Sequence, residues 1–445
     1  TFSAYLLMQA VSTLIYGKLS DLFGRKPVFV FGVSIFLIGS LLCGFATSMV
    51  VLIMFRLIQG LGAGAVQPIA TTIVGDIYSV EERAKIQGYL SSVWGISSVI
   101  GPLLGGLFVQ FVSWSWIFWI NIPLGIAAII GVVVFLREDP DKKKREIDYT
   151  GALLLLVAVT ALMIVSIEGG VGWAWISWPV FALSAVFLVS FLLFVVQEKR
   201  VKEPVMPIEL WKNPLIACSN LATLTSGMMM IGVSSFLPAF VQGVTEEPPV
   251  VAGFTLTTMS IGWPIASTVA GRLVLKLGFR STALLGTCSL LAGGLFFLFL
   301  TEDLGVVWAG SASFLVGIGM GLTSTTFIIA IQSSVDWNRR GIATASNMFM
   351  RILGSAVGAA ILGGILNGQL KRYFAESGEP FSVDAVNELL DEQLRGELPN
   401  ETLSLLQDGL TVSLDSVFTG LFVLALVTFA IVLCLPKFNF TKKES

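Results

Sequence analysis

Histidine is absent from this sequence, and charged residues are scarce. Only 13% of the 445 residues are charged and 55% are hydrophobic, whereas soluble globular proteins carry about a quarter charged residues. With so little charge, most of the surface must face lipid, which predicts an all-α protein that crosses the membrane many times. The absence of histidine excludes imidazole as a metal ligand or as a proton carrier.

Patterns that support catalysis are also missing. The four cysteines form no CxxC pair and lie in apolar runs, so we expect buried apolar fillers instead of a disulfide framework or a zinc site. The sequence has no GxxxxGK(S/T) loop and no paired carboxylates within apolar runs. These absences exclude ATP-driven pumping within this chain and leave no candidates for hydrolysis or metal chemistry. We therefore expect no enzyme, no cofactor and no nucleic-acid partner.

Apolar runs of about 20 residues, the length that spans a bilayer, predict thirteen membrane helices. The uncharged run 28–55 is too long for one span, so a turn at 46–49 is expected to make it a hairpin. The first apolar run begins at Thr1, which we interpret as loss of the native N-terminus. The predicted spans are 1–16, 28–47, 50–75, 86–111, 115–136, 149–168, 176–197, 214–240, 250–271, 281–300, 305–332, 341–366 and 414–435.

Basic residues are distributed unevenly between alternate loops. If the turn at 17–27 is cytoplasmic, 22 of the 27 lysines and arginines fall on that side. The opposite side has three, all in one long loop at 367–413, and the last two lie within spans. Because cytoplasmic loops are enriched in basic residues, this distribution predicts a multi-pass protein with a cytoplasmic C-terminus.

The extracellular loop 367–413 is predicted to be the one sizeable soluble piece. It is polar and acidic, with apolar residues at helical spacing over 383–394. We expect a short helical cap or hairpin on the outer face, and we favour a lid over a partner-binding module.

The turn at 17–27 has the sequence GKLSDLFGRKP. An acid near a helix end can pair with arginine and with the helix dipole, and such pairs across two helix ends can hold one conformation closed. The alternative is a solvated turn that only sets the topology. The candidate residues for a conformational gate are Lys18, Asp21, Arg25 and Lys26.

The same turn has a weaker copy later in the chain. Gly271-Arg272-Leu273, followed by Gly278, repeats its glycine spacing, with Leu275 in place of Asp21. Two halves that descend from one unit are typical of transporters.

Two arginines lie inside predicted spans. A charge at the centre of a span costs at least ~2.5 kcal/mol, so Arg56 and Arg351 must face the protein interior. Gln59 follows Arg56 on the same helix face. We consider all three candidates for coupling protons or substrate, and the alternative is a structural arginine bonded to backbone carbonyls.

A glycine-rich run occupies the span 86–111. Glycines around a Gly-Pro step permit a bend and close contact with a neighbouring helix, which favours a rocking interface. The residues predicted to form this packing surface are Gly88, Ser97, Gly101, Pro102, Gly105 and Gly106.

Together these motifs resemble the major facilitator superfamily, and within it the fourteen-helix drug:proton antiporters used in multidrug efflux. The 17–27 turn is similar to the superfamily signature. The runs around Arg56 and over Gly88–Gly106 are similar to the antiporter motifs, with Ser97 in place of a usual glycine. The resemblance covers essentially the whole chain and implies two six-helix bundles with an extra helix pair between them.

The resemblance divides the chain into three parts. These are an N-terminal bundle (1–136, helices 2–6, with the first helix missing), a central helix pair with basic cytoplasmic linkers (137–212), and a C-terminal bundle (213–445). The family's first helix usually carries an embedded acid, and cation exporters often have another acid in the second bundle, whereas this chain has none inside the predicted spans from 214 to 366. The main proton site would then be on the absent helix or at Asp21.

The resemblance implies a transporter that exports drugs or other amphipathic compounds in exchange for protons. It would lie in a bacterial plasma membrane as a monomer driven by the proton gradient. The alternative is export of one specific metabolite, lipid or antibiotic by the same fold, and a third hypothesis is a non-transporting sensor.

Overall fold

The structure is a computed structural model that describes residues 2–138, 148–169, 173–201, 203–377, 386, 389, 395 and 399–436. These residues are almost entirely α-helical, and their one β-type pairing is an isolated parallel bridge between Gly169 and Trp173. The helices are α1 (Phe2–Phe23), α2 (Arg25–Gly44), α3 (Met49–Ile77), α4 (Val80–Phe111), α5 (Trp116–Trp119), α6 (Asn121–Phe135), α7 (Tyr149–Glu168), α8 (Trp178–Arg200), α9 (Ile208–Lys212), α10 (Pro214–Gly243), α11 (Pro249–Leu298), α12 (Gly305–Ser334), α13 (Arg340–Ser377) and α14 (Asn400–Leu433).

Each of the thirteen predicted spans falls in a helical segment. Within the described residues, ten helical stretches are long and apolar enough to cross a membrane. One of these is α5 and α6 taken together, and another is α11, which contains two predicted spans separated by a break at Gly278. The more polar helices α1 and α4 account for the other two spans.

The predicted loop at 17–27 is wrong in extent, because only Gly24 is non-helical there. Its φ of 96° lies in the left-handed region, which glycine adopts at little cost, so a single residue reverses the chain between α1 and α2. Gly278, at the equivalent place in the repeat, has φ of 82°. Lys18 and Asp21 are therefore on the last turns of α1, and Arg25 and Lys26 begin α2.

The predicted loop 367–413 is wrong at both ends. α13 continues to Ser377 and α14 already starts at Asn400, because a helix bonds its own backbone and extends into water as readily as into lipid. Most of the predicted amphipathic stretch 383–394 lies outside the described residues. Val386 and Leu389 are described and are buried against the core of α10–α14.

The described helices pack around three main apolar cores. The first is shared by α10–α14, the second joins α1 to α7–α13, and a smaller one joins α1, α2, α3 and α6. Between them α1 packs on α13 and α4 packs on α11, while α7 contacts both α1 and α13. These crossings place the end of α1 beside the start of α13.

The start of α4 is capped by its own residues. Ser79 Oγ accepts from the Glu82 backbone N–H, and Glu82 Oε2 accepts from the Ser79 backbone N–H at 3.0 Å. This reciprocal pair satisfies two of the N–H groups that every helix start leaves unbonded.

Candidate functional site

The Asp21 carboxylate caps the start of α13. It accepts hydrogen bonds from the backbone N–H groups of Gly341 at 2.9 Å and Ile342 at 2.8 Å. Unbonded N–H groups and the helix dipole make such an end a binding site for an anion. A residue in the first part of the chain thus holds the end of a helix from the last part.

Small residues make this contact possible. A Cβ added to Gly341 would lie 2.5 Å from Ser20 Oγ and 2.6 Å from Asp21 Oδ1. Contacts that close do not occur between real side chains, so α1 and α13 approach at this point only because Gly341 has no side chain.

Arg25 is the most connected cation at this end of the molecule, and its side chain is 2% exposed. Its Nη1 lies 2.7 Å from Asp21 Oδ1, and its Nε donates to Asp76 Oδ2 at 2.9 Å. Nη2 donates to the Trp337 backbone oxygen at 2.9 Å, and the guanidinium stacks 4.3 Å from the centre of the Trp337 ring. Nη1 also donates to the Ser20 backbone oxygen at 2.6 Å. Two carboxylates and two carbonyls thus offset the cost of burying this charge.

Asp76, at the end of α3, joins two arginines from different parts of the chain. Its Oδ2 accepts from Arg25, and its Oδ1 accepts from Arg340 Nη1 at 3.1 Å. Arg340 also donates to the Gly75 backbone oxygen at 2.9 Å. We call the set Asp21, Arg25, Asp76 and Arg340 the latch, and the end of the molecule that carries it the latch face.

Asp76 was not among the predicted gate residues. The sequence signal that could have identified it is an acid just after the predicted span 50–75, on the same predicted face as the basic turn.

The Asp21 carboxyl lies beyond Tyr16, where the predicted span 1–16 ends. Burial raises the pKa of Asp21 to about 6, and the neighbouring Arg25 and the two backbone N–H groups act in the opposite direction. Desolvation of the carboxylate thus outweighs its favourable contacts.

The other two predicted gate residues, Lys18 and Lys26, lie near the latch but contact different partners. Lys18 Nζ pairs with Glu203 Oε2 at 2.6 Å, in the linker that follows α8. Lys26 Nζ donates to the backbone oxygens of Val133 and Leu136 at the end of α6, where a cation interacts favourably with the helix dipole.

Arg56 and Gln59 contact each other on α3, as their spacing predicted. Arg56 Nη1 donates to Gln59 Oε1 at 2.7 Å, and Gln59 Nε2 donates to Ser40 Oγ at 2.6 Å. The Arg56 guanidinium also lies over the rings of Tyr5 and Phe118, at 4.6 and 5.4 Å from their centres. Among the described residues, no carboxylate pairs with it.

Arg351 lies apart from Arg56, in the interior of the helices α10–α13. Its Cζ is 5.5 Å from the centre of the Trp263 ring. It lines a narrow space, without room for a water molecule, together with threonine, serine and methionine side chains.

Close packing in the glycine-rich run occurs near its beginning, where α4 meets α11. A Cβ on Gly88 would lie 2.5 Å from Thr268 Oγ1, and one on Gly95 would lie 2.7 Å from the Ser260 backbone oxygen. Ser97 is exposed, and no described atom lies within 4 Å of a Cβ placed on Gly101 or Gly105. Pro102 and Gly106 are helical, but their surroundings lie outside the described part.

The sequence matches the family model of the Major Facilitator Superfamily over residues 1–359. It is similar to Multidrug resistance protein 3 of Bacillus subtilis (strain 168), with 34% identity over 94% of this chain and 83% of that protein. It is equally similar, at 34% identity over 91% of this chain and 75% of the relative, to the Multidrug transporter protein MdtP of the same organism.

Among solved structures, the human organic anion transporter MFSD10 (TETRAN) has a similar fold. The TM-score is 0.64 at 14% sequence identity, and the match covers 97% of this chain and 82% of that one.

Proposed function

This chain belongs to the Major Facilitator Superfamily, and from that premise we propose that it exports drugs or other amphipathic compounds across a bacterial plasma membrane in exchange for protons. Membership makes it a multi-span membrane transporter and not an enzyme. The names of the two Bacillus relatives support drug export. Those names do not mention protons, and the exchange for protons is part of our proposal.

The latch is the observation that carries this proposal. Asp21 and Arg25 come from α1 and α2, and their partners at Gly341 and Trp337 lie more than 300 residues later in the chain. Polar contacts between two bundles can be broken and remade as the bundles rock, which is how alternating access works in repeat-built transporters. With the latch formed, access from the latch face is closed.

The basic loops support a cytoplasmic latch face, and hence a substrate path open toward the outside in this conformation. Asp21 is the acid through which protons would reach the latch, since its carboxyl is buried and contacts both bundles. We propose that it gates the conformations and does not bind the drug.

Dye efflux from proteoliposomes tests the proposal. The purified chain is reconstituted into vesicles. The vesicles are loaded with a fluorescent amphipathic dye and given a pH gradient of either sign. Efflux should require the gradient and stop when a protonophore collapses it. Efflux that is unaffected by the protonophore would contradict proton exchange, and the absence of efflux for a broad panel of dyes would contradict drug export.

A narrower cargo is the second candidate function. Helices α10, α11 and α12 contain no aspartate or glutamate, whereas cation exporters of this family often have an embedded acid in the second bundle. Export of a single metabolite, lipid or antibiotic fits this absence. Transport of one compound from the panel, with all cationic dyes retained, would favour it.

A further inference from the structure

An arginine with a buried Nη2 and no counter-ion among the described residues lies among the helices α10–α13. Arg351 Nη2 is buried, and no described residue accepts a hydrogen bond from it. The four helices contain a single carboxylate, Glu376, which pairs with Arg372 at 2.8 Å near the opposite end of α13. A guanidinium buried in this way is unfavourable unless an acceptor from elsewhere reaches it.

The cavity beside Arg351 offers a second free donor. The hydroxyls of Thr223, Ser226 and Thr323 donate to backbone oxygens of their own helices. Their protons are therefore already used in hydrogen bonds. Ser324 lines the same cavity and makes no hydrogen bond to any described residue. Two unused donors therefore face one space, and neither has an acceptor among the described residues.

The remaining lining is apolar and aromatic. Met230, Met320 and Phe327 contribute apolar surface, and the Trp263 ring lies 5.5 Å from the guanidinium. In this conformation the space between these side chains has no room for a water-sized sphere. A ligand would therefore reach Arg351 only when the lining side chains move apart.

We propose that this cavity binds the anionic end, a carboxylate or similar oxyanion, of the amphipathic compounds that the protein exports. The inference rests on the proposed export function and specifies its substrate class. An arginine fork and a hydroxyl donate to two oxygens of one oxyanion, and the methionines and Phe327 pack against the adjoining apolar part.

A matched pair of ligands tests this on the unmodified protein. A fluorescent aromatic carboxylate and its methyl ester are titrated into the full chain in a neutral detergent. The acid should bind at least about tenfold more tightly than the ester, because only the acid supplies an anionic acceptor. Equal binding of the two would overturn the proposal. Binding of an anionic phospholipid with no binding of the aromatic acid would assign the cavity to lipid headgroups and also overturn the proposal.

Substitutions at Arg351 give a second test. Arg351→Gln should weaken binding of the acid by about 10- to 100-fold and leave the ester unchanged, and Arg351→Lys should weaken it less because the charge remains. Arg372→Gln is the matched control, since it removes a charge from an exposed pair on the same helix and should change neither ligand. Equal losses for acid and ester would show a structural role and refute the inference.

A transport assay distinguishes failure of this inference from failure of the proposed export function on which it rests. If the reconstituted protein exports neither compound nor any dye, the proposed export function fails. If it exports the ester as well as the acid, export stands and only the role of Arg351 fails. If Arg351→Gln does not fold, binding of the acid and of the ester to the unmodified chain still tests the inference.

Discussion

Removing the charge of Asp76 should loosen the latch by a measurable amount. Only contacts that join the two bundles oppose opening, so the pair of Asp76 with Arg25, both from the first part of the chain, persists when the face opens. The contact that breaks is Asp76 Oδ1 with Arg340 Nη1, at 3.1 Å and with side chains 11% and 21% exposed. A hydrogen bond to a charged group contributes about 1.5–3 kcal/mol, so Asp76→Asn should shift the ratio of closed to open protein by about 10- to 100-fold.

Labelling of a buried cysteine measures that shift. Thr344 on α13 is 1% exposed, and Thr344→Cys in a background without the native cysteines reacts with a maleimide only when the face opens. If opening and reclosing are fast compared with labelling, the labelling rate should rise by the same factor of about 10 to 100 in Asp76→Asn.

The control is Glu209→Gln, which breaks a pair with Arg339 of the same 3.1 Å length but with side chains 68% and 53% exposed. Exposed pairs contribute about 0–1 kcal/mol, so the labelling rate should change by less than about fivefold. Equal rates in Asp76→Asn and in the parent protein would refute the reasoning that Asp76 holds the face closed.

Three further predictions concern the same helices. Gly341→Ala places a Cβ 2.5 Å from Ser20 Oγ and should raise the labelling rate by pushing α1 away from α13, whereas an unchanged rate would show that the two helices need not touch. The pKa of Asp21 is raised from 3.8 to about 6 with the latch closed, so the closed form binds more protons than the open form. Lowering the pH from 7 to 4 should therefore favour closure and slow labelling after correction for thiol ionisation. Asp21→Asn should abolish this pH dependence, and an identical pH profile in that variant would assign the dependence to another group. Gly95→Ala should lower thermal stability because its Cβ would meet α11 at 2.7 Å, and Gly105→Ala, with no described atom within 4 Å, should leave the melting temperature within about a degree; equal losses would contradict the packing of α4.

The spans could be predicted because lipid fixes both the length and the polarity of a membrane helix. The ends of the helices could not, since beyond the bilayer a helix continues wherever water accepts its side chains. α13 therefore runs through Lys371 and Arg372 to Ser377, where composition predicted a loop. The one-residue junction at Gly24 was missed for a related reason, because the charges around it look like a loop although they lie on helix ends.

In the candidate site, residue types were more predictable than partners. Charge, glycine and proximity to a turn identified Asp21 and Arg25, but their contacts at Gly341 and Trp337 depend on how distant helices cross. Lys26 belongs to the same sequence motif, but its side chain contacts the end of α6 and not the latch. Arg351 was identified from the cost of a charge in a span, whereas its lack of a counter-ion among the described residues became visible only with side chains in place.

The caps at the starts of α4 and α13 break the symmetry of the repeat. By chain order α4 is equivalent to α13, and α1 is equivalent to the first half of α11. α1 packs on α13, and α11 packs on α4. Ser79 and Glu82 cap α4 from its own first turn, so that cap travels with the helix. The cap of α13 is Asp21, which belongs to the opposite half and is left behind when the halves separate. Of these two equivalent helices, α13 alone is capped by a carboxylate from the other half of the molecule, so separation of the halves uncaps α13 and leaves α4 capped.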